Sequence, residues 1–93
     1  MAISLRKIAE EFTISRKELI RQSIIALLKE QLRICNIERL ALCSKFGVSS
    51  LEEMDELLVK GKVEEDDMIE DFQMVDFLTS KGKKIKKLLK GIG

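Results

Sequence analysis

Five carboxylates, Glu52, Glu53, Glu56, Glu64 and Asp67, crowd one stretch of the chain, and acids gathered in this way can hold a magnesium ion. Other candidates for chemistry are few. The chain has no histidine, which removes the commonest general base, the commonest metal ligand and every Ser or Cys triad that relies on imidazole. Its two thiols, Cys35 and Cys43, fall in one predicted helix about 12 Å apart along the axis, whereas a disulfide needs Cα atoms within about 7 Å. Two thiols without histidine do not make a structural zinc site. Both cysteines read as buried small hydrophobes, and no residue set calls for a cofactor.

The acidic stretch resembles the two acidic motifs of the all-α nucleotide pyrophosphatases related to MazG. The resemblance implies magnesium-dependent nucleotide hydrolysis if Glu53, Glu56 and Asp67 converge. Those enzymes carry the motifs on two long packed helices. Here a short connection containing Gly61, a helix-breaking residue, joins Glu56 to Glu64, which favours a solvated acidic face followed by a charged helix start. The chain is therefore expected not to be an enzyme.

Basic residues offer a second kind of chemistry. The stretch SLRKIAEEFTISRKELIRQSI at 4–24 has the cadence of a helix-turn-helix, with Ile8, Ala9 and Leu19 inward. In that arrangement Arg16, Lys17 and Arg21 face outward near the start of the second helix, where a recognition helix meets phosphates and base edges. Thr13, however, sits at the turn position that usually holds glycine, and no helix precedes the pair. A helical corner with exposed charges is the competing reading. At the other end, KGKKIKKLLKGIG at 81–93 is a basic amphipathic stretch that could lie on an anionic membrane or track a phosphate backbone. It reads equally as the end of a packed helix, its lysines favoured by the helix dipole.

What positions these residues is helix. With 93 residues, 45% apolar and 35% charged, one folded domain over 1–93 is expected, and the absence of proline with four aromatic residues leaves little ground for a sheet. No apolar run approaches the roughly 18 residues that span a bilayer, and the N-terminus lacks a signal-peptide pattern. A cytoplasmic protein without stable membrane insertion is expected. Asparagine and glutamine total four, a scarcity frequent in proteins from hot environments.

Leu5, Ile8 and Phe12 give a short first helix after Ser4. Ser15, with Glu18 three residues on, is a capping box opening a long helix from Arg16 to Phe46, ended by Gly47. Ser49 or Ser50 caps a short helix over Leu51–Val59, ending at Gly61. Glu64 to Asp67 then open a last long helix whose apolar positions Met68, Phe72, Val75, Leu78, Gly82, Ile85, Leu89 and Ile92 follow a seven-residue repeat. Gly82 predicts fraying or a bend.

A helix of about 31 residues spans roughly 45 Å and overhangs any compact monomer of this size. The wrapped apolar residues Ile24 to Leu28 need neighbours on more than one side. The expected architecture is all-α, a long helical hairpin with a short connecting helix, dimerising into a helical bundle. Its candidate interface is Ile24, Leu27, Leu28 and Ile34 with Met68, Phe72, Val75, Leu78, Ile85 and Leu89. Net charge is only +1, yet the charges are sorted. Residues 1–47 carry nine basic and five acidic side chains, 48–80 two and eleven, and 81–93 six lysines. The acidic middle suits a basic partner protein.

KFGVSSLEEMDELLVKGKVEEDDMIEDFQMVDFL at 45–78 resembles a group of small archaeal and bacterial helical proteins of uncharacterised function. They share a "YGVSSxEEMEEL...GKxEE...DFxxLDxLE" pattern after a helix like "ISxxELIRxSLxAxLxxxL". The match covers about four-fifths of the chain, with Phe46 where the group has Tyr and departures at Phe77, Thr79 to Gly82 and the lysine-rich end. The resemblance implies a helical fold and an antitoxin-like role beside a small toxin, and it transfers no site residue. The expected function is a non-enzymatic protein-protein interaction module acting as a homo-oligomer. The alternatives are a DNA-binding regulator using Arg16, Lys17 and Arg21, and the carboxylate-metal hydrolase.

Overall fold

The computed structural model describes residues 4–61 and 65–92, the side chains of 65–67 excepted. Four helices follow one another, α1 Leu5–Glu11, α2 Arg16–Ser44, α3 Leu51–Val59 and α4 Glu65–Ile92, and no strand occurs among the described residues. The expected all-α hairpin with a short connecting helix is what forms.

Local chemistry explains the boundaries. Ser15 Oγ accepts the Glu18 amide at 3.0 Å and Ser50 Oγ accepts the Glu53 amide at 3.2 Å, so both serines satisfy a first-turn donor. Glu53 also reaches back, accepting from the Ser49 amide and hydroxyl at 3.1 Å each. Glu18 does not complete a capping box; its carboxylate accepts from Arg21 and Gln22 instead. α2 ends two residues short of the expected Phe46, in a motif where Gly47 at φ +69 is left-handed. There the Val48 amide donates to Cys43 O and the Gly47 amide to Ser44 O, each at 3.2 Å, which takes up two orphan carbonyls.

The same closure ends α1, but on threonine. Ile14 N donates to Ala9 O and Thr13 N to Glu10 O, with Thr13 at φ +52. A β-branched residue there costs about 1–2 kcal/mol, so the corner stores strain that glycine would avoid.

α2 and α4 run antiparallel side by side. Lys45 Nζ meets Asp71 Oδ2 at 2.7 Å at one end, and Leu28 and Leu89 join the same cluster at the other. Two cores lie between them. The first is Cys43, Met54, Met68 and Val75, roofed by Leu51, Leu57 and Leu58 of α3; the second is Cys35, Leu78 and Ile85 with Leu32. The seven-residue repeat on α4 therefore packs mostly within the chain. Contrary to the expected fray or bend, α4 runs unbroken through Gly82. Gly82 is buried, and a Cβ there would stand 3.6 Å from Leu32 Cδ1; packing of the neighbouring turns against α2 offsets its propensity cost.

The assembly is long and thin, 59 × 29 × 16 Å, with a radius of gyration of 19.1 Å. A compact globule of this chain length would have about 12 Å. The α2–α4 pair is thus a single layer of helices, with α3 over part of one side and α1 folded back on the N-terminal part of α2.

Candidate interaction surface

Which residues occupy the uncovered side follows from helix phase. Each residue turns about 100° around its helix relative to the one before. On α2, Leu27, Ile34 and Ala41 each stand one position before a packed residue, Leu28, Cys35 and Leu42. On α4, Met74, Phe77 and Leu88 stand one position before Val75, Leu78 and Leu89. Because the helices are antiparallel, one step back turns to the same side of the pair on both. One step forward gives Asn36 and Cys43 on α2 and Thr79, Lys83 and Lys86 on α4, and these are residues that face α3 or the cleft at its start. The open face lies opposite α3.

Its apolar content is high for a solvated surface. Leu27 is 60% exposed, Phe77 58% and Leu88 56%, whereas Leu78, the neighbour of Phe77, is 4% exposed. Ile20 and Ile24 extend the row toward the N-terminus of α2, both exposed. Ile20, Leu27, Ile34 and Ala41 repeat every seven residues, a spacing suited to a facing helix. Gln31 and Glu38 interrupt the row on α2, and Lys81 and Lys84 interrupt it on α4, so the two helices offer opposite charge.

The candidate interface residues divide. Ile24 and Leu27 are exposed, and Leu28, Ile34, Phe72 and Leu89 are half-buried. Met68, Val75, Leu78 and Ile85 are buried by this chain's own helices, which corrects their assignment to an intermolecular seam. Sequence reasoning missed Met74, Phe77 and Leu88. The signal was present, a second apolar row one residue out of phase with the first.

The other candidates are placed as follows. Arg16, Lys17 and Arg21 are exposed on the opening turns of α2, and Arg21 Nη1 binds Glu18 Oε1 at 3.0 Å. Glu53 is engaged with Ser49, and Glu56 stands 3.9 Å from Lys60 Nζ. Glu64 and the side chain of Asp67 lie outside the described residues. Among the described residues no group of three acids, cysteines or histidines could hold a metal. Both cysteines are buried and free. Cys43 Sγ lies 3.9 Å from Met54 Sδ, and burial pushes its thiol up from the ordinary value, opposed by nearby Arg39 and reinforced by Glu53. No described helix is long and apolar enough to cross a membrane. The six lysines of 81–93 are exposed along α4, which stays helical to Ile92.

A family model matches residues 1–93. The chain belongs to the uncharacterized protein MJ0235 family. Neither the curated proteins nor the solved structures contain a match to it. The family description names no activity.

Proposed function

We propose that this member of the MJ0235 family is a non-enzymatic protein-protein interaction module whose first partner is a second copy of itself. The observation that carries the reading is the apolar row on the side of α2 and α4 opposite α3. Contiguous exposed apolar patches mark interaction sites, and a second identical layer would complete a four-helix bundle.

Charge selects the arrangement. Laying α2 on α2 and α4 on α4 brings Lys81 and Lys84 of one copy toward those of the other. Laying α2 of one copy on α4 of the other puts Leu27 against Leu88, Ala41 near Met74, and Glu38 within about one turn of Lys81. The second arrangement avoids that lysine contact and is the one we favour. The exposed acids Glu52, Asp55, Glu56, Glu70 and Asp76 stay outside the bundle, available to a basic partner protein in an antitoxin-like role.

The test is light scattering after gel filtration at low and at 0.5 M salt. The wild-type chain should be dimeric in both, since burial of apolar area outlasts screening. Leu27→Glu combined with Phe77→Glu should be a folded monomer. A monomeric wild-type chain would overturn the proposal.

A further inference from the structure

The side of the molecule opposite the apolar row carries a cleft of about 140 Å³ where α3 begins against α2 and α4. We infer that this cleft binds a phosphate group, through Arg39 of α2 and Lys83 and Lys86 of α4. Three cations from two helices line it, with Asn36, Ser50 and Thr79 as neutral polar neighbours, against one acid, Glu52. Among the described residues, no ion pair takes up Arg39, Lys83 or Lys86. Arg39 Nη1 donates to Ser49 O at 3.3 Å, which holds the guanidinium beside the start of α3 and leaves its other donors for a ligand.

The backbone adds to this. Ser50 Oγ accepts from the Glu53 amide, and no hydrogen bond of the described residues takes the amides of Leu51 or Glu52, two residues that line the cleft. A tetrahedral oxyanion accepts from several donors at once, and guanidinium, ammonium and amide groups together suit it better than a carboxylate or chloride. The cleft is open to solvent and has room for a phosphoryl group with water, so the organic part of a phosphomonoester can extend outside it. The cleft is independent of the dimer: it lies across the helix pair from Leu27 and Phe77, and remains open when that face is covered.

The experiment is amide-resolved NMR titration of the full chain with inorganic phosphate, against sodium chloride at equal ionic strength. Saturable shifts at Leu51 and Glu52 in the wild type are expected. Lys83→Ala with Lys86→Ala should weaken binding at least about tenfold, and Glu52→Gln should tighten it several-fold. Both sets of changes are at exposed positions, and the spectrum itself reports whether the fold is kept. A parallel titration with glycerol phosphate separates the two sources: tighter binding assigns a phosphomonoester, equal or weaker binding the free anion. Shifts that chloride reproduces, or that survive the double substitution unchanged, would overturn the site.

Discussion

Phe77 and Leu78 are adjacent in α4 and nearly opposite in exposure, 58% against 4%, so truncating each to alanine separates the two faces of the helix. Leu78→Ala removes a side chain packed with Cys35 and Ile85 and should destabilise each chain by about 2–5 kcal/mol, the range for buried leucines. Phe77→Ala removes little from the isolated chain, within about 0.5 kcal/mol. In the dimer it forfeits roughly three-fifths of a full aromatic burial, about 1–2 kcal/mol per copy. Over two copies that is about 2–4 kcal/mol, a rise of about 30- to 1,000-fold in the dissociation constant. The assay is urea unfolding at two protein concentrations a hundredfold apart, with sedimentation to measure dissociation. Unfolding of the wild type should shift with concentration, and that of Phe77→Ala much less. The reasoning fails if Leu78→Ala costs under about 1 kcal/mol, or if Phe77→Ala leaves dissociation unchanged.

Other outcomes follow from single residues. Gly82→Ala should stabilise by up to about 1 kcal/mol, read as a rise in Tm, because the new Cβ meets Leu32 Cδ1 at an ordinary 3.6 Å in a helical backbone. Gly47→Ala should destabilise by about 1–2 kcal/mol in the same melt, since φ +69 is unfavourable for any side chain however open the space. Cys43 should resist thiol reagents in the native state. Its folded value is raised, so its contribution is complete below the unfolded value of about 8.5 and falls as pH rises through that value toward the folded one. Cys43→Ala should remove that part of the alkaline loss in pH-dependent melts. Duplex DNA should bind weakly, with affinity indifferent to Arg16→Ala, Lys17→Ala and Arg21→Ala together. A salt-dependent affinity lost in that triple variant would favour the regulator reading.

Much of the fold was legible because it is written in local chemistry. Ser15 and Ser50 announce helix starts, Gly47 and Gly61 announce ends, and the seven-residue row from Met68 to Leu89 announces a packed face. Thr13 was less legible, since a left-handed threonine is an exception that only the closing hydrogen bonds to Ala9 and Glu10 reveal. The interaction surface was half legible. Periodicity shows that a helix has apolar faces but not which neighbour covers each, so Met68, Val75, Leu78 and Ile85 looked like intermolecular seam residues. They are consumed by α2 and α3 of the same chain. Phe77 stood out only as a departure from the family-like pattern, and the antiparallel pairing turns it and Leu88 to the same side as Leu27. The cleft at the start of α3 had no sequence signature at all, because Arg39 and Lys83 meet only through the hairpin.

The central claim is that α2 of one copy packs on α4 of the other through the open face. Its most direct test is an isotope-filtered NOE spectrum on a sample mixing labelled and unlabelled chains, which detects only contacts between copies. Methyl contacts from Leu27 to Leu88 and from Ala41 to Met74 are predicted. Cross-peaks confined to α1 or α3, contacts linking Leu27 to Leu27, or no intermolecular cross-peaks would contradict it.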